Sequence, residues 1–293
     1  VNFIAIDVET ANADMASICQ IGIAKYVDGK LVEEWSSLIN PGDYFSPINV
    51  GIHGISETDV IGAPTIPEIG IILGSFLNNA ICVCHTHFDR VAIGRALNKY
   101  SLEEYDSVWL DSAKVARRTW EDCRWRGYGL ADVCKKIGYE FKHHDALEDA
   151  KAAGMVLLAA IETTGLDIES WVGRVNKPID PTKKSYHSAR NVEGNHDGEL
   201  YGEVLVFTGA LEIPRREAVE LAAKIGCTVN SGVNKKTSLL VVGDQDISRL
   251  AGSEKSSKHR KAELLISEGQ NIRIIKESDF KELVTHSQKL VDE

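Results

Sequence analysis

No stretch of this sequence approaches the ~18 uninterrupted apolar residues that a membrane-crossing helix needs, so no membrane span is expected. Positive charge is also short: 33 Lys+Arg against 43 Asp+Glu leave a formal net charge of −10. That balance argues against a protein that coats nucleic acid nonspecifically, because affinity for the phosphate backbone comes from cationic contacts. It leaves open an enzyme whose carboxylates hold divalent metals that then face phosphates. Six cysteines without regular spacing form no disulfide framework and point to a reducing compartment. The opening residues, VNFIAIDVET, carry no basic segment and read as a strand at once, so no signal peptide is expected. No internal repeat is evident.

What is present is enough for two domains, at roughly 150 residues each. Hydrophobic residues make up 43% of the 293 and charged residues 26%, the balance of an ordinary globular chain. The negative charge is concentrated: residues 1–166 hold 14 Lys+Arg against 23 Asp+Glu, the remainder 19 against 20. FIAIDVE, ICQIGIAKYV and EEWSSLIN read as three meander strands, with VDGK as a hairpin turn. Helical patterns alternating with one further strand, AICVC, follow, and together they predict a mixed α/β sheet over residues 1–166. Residues 167–197 are rich in Pro, Asn, Ser, Gly and charge, with little apolar periodicity; they read as a flexible, partly disordered linker. Order resumes in residues 198–288, where EVLVFTG, TSLLVVG and IRII alternate with helical segments and predict a small parallel sheet.

Three segments place acids where a core would not want them. Asp7 and Glu9 sit two apart in FIAIDVET, a spacing that puts both on one face of a strand. Two such neighbours repel unless a cation lies between them. In AICVCHTHFDRVAIGRALNKY a strand hands over to a helix near Phe88, and Asp89 heads a face continued by Ala92, Ile93 and Ala96. In HHDALEDA, Asp149 heads the row Ala153, Val156 and Ala160. Asp145 as N-cap with Glu148 three places on fits a capping box. His144 then falls at N′ and Asp149 at N4, positions that meet across a helix start. Helix N-termini favour anions, but that alone does not aim the acids inward. Any one of these acids reads most simply as a cap or a solvated charge; the set, with a histidine beside it, does not.

Together these motifs resemble the DnaQ-like, or DEDDh, family of 3′→5′ exonucleases, which includes the proofreading subunit of bacterial DNA polymerase III. DVET supplies Asp7 and Glu9, HTHFD supplies Asp89, and HDALEDA supplies His144 and Asp149. HGIS (53–56), YGLADVCKKIG (128–138) and LDSAKVARR around Asp111 are further matches. The resemblance implies a ribonuclease H-like fold and four carboxylates, Asp7, Glu9, Asp89 and Asp149, holding two Mg²⁺ or Mn²⁺. Hard cations of this kind suit an all-oxygen donor set. His144 would take the proton of the attacking water. Thr10, Ile52 and His53 would border the terminal nucleotide, with Phe88 packed beside it. The chain departs from the family at Cys84 and His85, where His-Asn is more usual.

CVCHTH brings Cys82, Cys84, His85 and His87 close together, ligand types for zinc, although cysteines sharing one strand face are also common core residues. RRTWEDCRWRGYG, residues 117–129, mixes basic and aromatic side chains; it reads either as a contact for substrate backbone and bases or as a solvated loop.

The last hundred residues resemble a BRCT domain, similar to the one that ends bacterial NAD-dependent DNA ligases. VFTGAL, REAVELAAKIGCTV, NKKTSLLVVG and SSKHRKAELL carry the match. The hallmark tryptophan of the last helix is replaced, with Phe280 expected in its place. The resemblance implies a phosphate site at Thr208, Gly209 and Lys258, with Lys261 as an alternative to the lysine. Its ligand would be a DNA end or a phosphorylated protein. The whole chain is therefore expected to be an α/β protein: a ribonuclease H-like exonuclease domain, a linker and a BRCT domain. It would release nucleoside monophosphates from DNA 3′ ends in replication proofreading or repair, in the bacterial cytoplasm, as part of a replication or repair complex. Two alternatives stand beside it: an exoribonuclease that trims RNA, and a catalytically weak scaffold on the same fold.

Overall fold

Strand β1 (Phe3–Thr10) begins with four buried residues and ends with four half-buried ones, so its acids emerge where the core stops. It pairs antiparallel with β2 (Ile18–Val27), which pairs antiparallel with β3 (Lys30–Leu38). Asp28 and Gly29, both at positive φ, close the β2–β3 hairpin; this is the mirror-image turn that matches strand twist. Strands β4 (Ala80–Cys84) and β5 (Ser107–Asp111) join in parallel, giving a five-stranded mixed sheet in the order β3-β2-β1-β4-β5. β5 is a strand beyond those expected. It is five residues long and lies at the sheet edge with Val108 48% exposed, so it shows little apolar patterning.

The computed structural model describes residues 1–124, 127–179, 194–209, 211–243 and 256–289. Seven helices accompany the first sheet among the described residues: α1 (Pro47–His53), α2 (Ile66–Leu77), α3 (Phe88–Lys99), α4 (Ser112–Thr119), α5 (Leu130–Ile137), α6 (Ala146–Thr164) and α7 (Ile168–Arg174). α6 packs on β1 and β2, and its buried face is mostly small: Ala146, Ala150, Ala153, Gly154 and Ala160 beside Val156 and Leu157. Small side chains let the two backbones approach. At Gly22 of β2 an added Cβ would run into the backbone of Ala146 and Leu147, so only glycine allows the helix start to sit where it does.

α7 corrects the expected linker. Its Ile168 and Trp171 are 2% and 1% exposed and pack with Val175 against Phe3, Tyr26, Val83 and Leu157. The 3- and 4-residue spacing of those three apolar residues marks a helix face that the surrounding polar residues obscure. The first compact unit accordingly runs from Val1 to Ile179. Residues 180–193 of the expected linker lie outside the described residues.

The second unit is a four-stranded parallel sheet in the order β7-β6-β8-β9. Its elements are β6 (Val204–Thr208), α8 (Arg215–Lys224), β7 (Thr228–Asn230), β8 (Leu239–Val242), α9 (Ser257–Ser267), β9 (Arg273–Lys276) and α10 (Glu277–Lys289). Phe280 of α10 is fully buried and meets Phe207 edge-on at 5.2 Å, in the core place expected for it.

Candidate active site

Asp7 and Glu9 lie opposite Gly22 and Gln20 of β2, and a register shift follows between Glu9 and Thr10. Opposed residues share a face, so the start of α6, seated over Gly22, comes down beside Asp7. Gln20 fixes it there: its Oε1 accepts the Ala146 amide at 3.1 Å. Asp145 caps the helix by accepting from the Leu147 and Glu148 amides. The Glu148 carboxylate pairs with Lys151. Asp149 is then held in the first turn, 3% exposed. Carboxylate oxygens of Asp7, Glu9 and Asp149 all lie within 4.8 Å of one another. Three like charges at that separation repel, and the positive end of α6 offsets only part of it.

Asp89, 2% exposed, enters from the start of α3. Its Oδ1 accepts the amide of Val8, the residue between Asp7 and Glu9, at 3.2 Å. Asp7, Glu9 and Asp149 thus converge from one strand and one helix start, while Asp89 reaches the same stretch of β1 through its backbone and stands outside that group of three. The donors of that group are all carboxylate oxygens, a set that suits a hard divalent cation.

The doubled histidine contributes more than the spacing indicated. His144 sits at φ +66°, in the left-handed region, and its backbone amide donates to Asp149 Oδ2 at 2.9 Å. His143, which the motifs pass over, reaches Asp149 Oδ1 with Nδ1 at 2.9 Å. The two imidazoles stack at 3.9 Å and 16°. In the sequence His143 shows only as the first of the two adjacent histidines in HHDALEDA.

The turn carrying Asp89 accounts for the departure at Cys84 and His85. Cys82 and Cys84 are buried, and burial pushes both thiols up, Cys82 to about 12. Thiols held neutral in this way pack as core and are poor zinc ligands. His85 bridges two elements, with Nδ1 2.8 Å from Ser112 Oγ and Nε2 2.8 Å from the Tyr128 carbonyl. A carbonyl only accepts, so the ring proton sits on Nε2. Thr86 adopts φ +78°, a strained choice for a β-branched residue, and its amide donates to Asp111 Oδ1 at 3.0 Å. The same oxygen caps α4 through the Ala113 and Lys114 amides.

Thr10 and His53 meet at the end of β1: His53 Nε2 lies 3.2 Å from the Thr10 carbonyl, and Nδ1 accepts the Ile55 amide. Burial lowers the His53 pKa, and the hydrogen bond to Thr10 opposes the shift in part. Ile52 is 38% exposed on the same helix. Phe88 is buried, its ring stacked on His87 at 5.0 Å. In the basic–aromatic segment Arg117 is buried: it donates to the Arg124 carbonyl and lies 4.5 Å over the Tyr128 ring. Trp125 and Arg126 lie outside the described residues.

The sequence matches the family model RNase_T, described as Exonuclease, over residues 4–157, and the BRCT (BRCA1 C Terminus) domain over residues 196–284. The first match covers more than half of the chain. The chain belongs to this exonuclease family. DNA polymerase III PolC-type of Thermotoga petrophila is 30% identical over 193 residues, 63% of this chain and 14% of that protein. The same protein of Thermotoga maritima is 26% identical over 266 residues, 85% of this chain and 19% of that protein. The chain therefore spans less than a fifth of the length of these relatives. Exonuclease I aligns with 59% of this chain and 42% of its own at a TM-score of 0.50 and 14% identity, a likeness of fold. The nuclease unit has the ribonuclease H-like mixed sheet, and the second unit is a BRCT domain.

In that BRCT domain the three residues expected to bind phosphate come to the end of β6. Thr208 is buried with its hydroxyl 2.7 Å from Ser256 Oγ, and Ser256 also caps α9 by accepting from His259. Gly209 follows at φ +78°. Lys258 Nζ donates to the Phe207 carbonyl at 3.0 Å, and burial followed by Arg215 lowers its pKa. Arg215, not foreseen from the sequence, donates to the same carbonyl and to that of Gly209. Two cations, Lys258 and Arg215, thus share the Phe207 carbonyl at the strand end.

Proposed function

We propose that this exonuclease acts on DNA from the 3′ end, hydrolysing one phosphodiester at a time with two Mg²⁺ or Mn²⁺ held by Asp7, Glu9, Asp89 and Asp149. The observation that carries the reading is the convergence of Asp7, Glu9 and Asp149, a strand end and a helix start 140 residues apart, on one space within 4.8 Å. A folded chain brings like charges together that closely where a cation offsets them. Bound there, divalent ions supply Lewis acidity for phosphoryl charge and a lower pKa for the attacking water.

The chain's own residues do the rest. Asp7 and Glu9 would hold the ions from the end of a strand, and Asp149 from the start of a capped helix. Asp89 holds its place by binding the strand's backbone between them. His144 stands next to Asp149 at the mouth of the site and accepts the proton of the water. Thr10, Ile52 and His53 form the wall that receives the terminal nucleotide, with Phe88 as the buried support of the turn that carries Asp89. Relatives named as DNA polymerases favour DNA over RNA as the substrate and replication or repair as the setting. In the BRCT domain Thr208, Gly209 and Lys258, together with Arg215, bind a phosphate of a DNA end or of a phosphorylated partner.

The test is digestion of single-stranded DNA labelled at the 3′ or the 5′ end, with Mg²⁺, Mn²⁺ or chelator, beside Asp7→Ala. A ladder shortening stepwise from the 3′ end, abolished by chelator and by the substitution, is the expected result. Internal cuts, loss from the 5′ end, or equal activity in Asp7→Ala would overturn the reading.

A further inference from the structure

A second set of metal donors overlaps the first. Ligand atoms of His143, His144 and Asp149 also lie within 4.8 Å of one another. This set is two imidazoles and one carboxylate, unlike the all-oxygen group of Asp7, Glu9 and Asp149. Imidazole nitrogen suits Zn²⁺ and its neighbours, whereas Mg²⁺ avoids it. Both histidines are exposed, so an ion can reach them, while Asp149 is 3% exposed and fixed by its helix.

We propose that His143, His144 and Asp149 form a site for Zn²⁺ that switches the nuclease off. The geometry is largely in place before the ion arrives. Positive φ at His144 folds its ring back onto that of His143, so adjacent residues present their nitrogens to the same side. His143 Nδ1 lies 2.9 Å from Asp149 Oδ1, a hydrogen bond that opens to about 3.4 Å when both atoms bind one tetrahedral zinc at its usual bond lengths of about 2.0–2.2 Å. His143 is also braced from outside by Phe141, tilted against it at 5.5 Å, which in turn stacks with Tyr139. Three protein ligands leave a fourth position for water, the pattern of an accessible rather than a closed zinc site.

Occupancy has two consequences for the site, both resting on the function proposed above. The Asp149 carboxylate, shared by the two sets, is engaged by zinc and no longer serves the oxygen cage, and the His144 ring is no longer available to accept a proton. Zn²⁺ therefore competes with Mg²⁺ and not with DNA. The residue that creates the second site is His143, which stands outside the nuclease motifs.

The experiment is calorimetric titration of the full chain with Zn²⁺, and separately with Mn²⁺, for the wild type, His143→Ala, His143→Gln and Asp7→Asn. One Zn²⁺ per chain is expected at this site, weakened at least about tenfold by either change at His143 and kept by Asp7→Asn. Mn²⁺ should show the reverse: retained without His143 and weakened without Asp7. Zn²⁺ affinity within twofold of wild type in both His143 variants would overturn the proposal, as would a wild type that binds no Zn²⁺. Loss of Zn²⁺ in Asp7→Asn as complete as at His143 would also overturn it, by placing the ion in the oxygen cage. If Zn²⁺ binds through His143 but Mn²⁺ does not bind at all, the zinc site stands and the nuclease reading falls.

Discussion

Both units of this chain bury carboxylates, and they use them in opposite ways. In the BRCT domain Glu277, 1% exposed, accepts the Glu212 and Ile213 amides at 2.8 and 3.0 Å and lies 3.7 Å from Lys281. Asp279 is fully buried and accepts the amide of Lys276. Glu277 thus ties α10 to the loop before α8, and Asp279 binds its own turn; both serve backbone amides. In the nuclease unit the carboxylates of Asp7, Glu9 and Asp149 come within 4.8 Å of one another, although Asp149 also accepts the His144 amide. Burial of an acid therefore says little about function, nor does a hydrogen bond from an amide; what separates a cation site from a cap is that several carboxylates share one space.

Substitutions on the two sides should break apart cleanly. Asp149→Asn should lower exonuclease activity by about a thousandfold or more, equivalent to roughly 4 kcal/mol of transition-state stabilisation, with little loss of melting temperature. Glu277→Ala should do the opposite, costing the BRCT domain on the order of 2–3 kcal/mol in denaturant unfolding while trimming of short DNA persists. His144→Ala should lower kcat by about 10²- to 10⁴-fold, with Mn²⁺ binding retained.

Gly22→Ala tests whether the cage depends on how α6 is seated. The new methyl meets backbone at Ala146 and Leu147, so the helix start must shift. A loss of about 1–3 kcal/mol in stability is expected, together with a fall in activity of about a hundredfold as Asp149 moves off Asp7. Stability loss with full activity would show that the cage tolerates the movement.

The smallest effect concerns pH. Burial holds the folded-state pKa of His53 below its ordinary 6.5, so as pH drops below 6.5 the unfolded chain takes up the proton first. The stability present above 6.5 is lost as pH falls toward the folded-state value. Melting curves from pH 7.5 to 5.5 should therefore slope down on the acid side, and less steeply in His53→Gln.

Much of this contrast was legible in the sequence, and the reasons are physical. A strand's two-residue period puts Asp7 and Glu9 on one face, and capping chemistry locates Asp145, so the position of Asp149 follows. The BRCT sheet is legible because its strands are short apolar runs between well-bounded helices. α7 was hidden because three apolar residues are thinly spread among polar neighbours, and β5 because an exposed edge strand shows little patterning. Gly22 was not legible at all. Its importance lies in what approaches it from residues 146–147, and such closeness is set by packing rather than by any local signal. Arg215 and His143 escaped for a related reason: each acts through a contact outside the motif that flanks it.

The most direct measurement is the number of Mn²⁺ ions bound by the wild type, Asp7→Asn and Glu277→Gln, read by electron paramagnetic resonance. Two ions in the wild type, a loss in Asp7→Asn and no change in Glu277→Gln are expected. Equal binding in the wild type and Asp7→Asn, or none in the wild type, would contradict a cation cage at the end of β1.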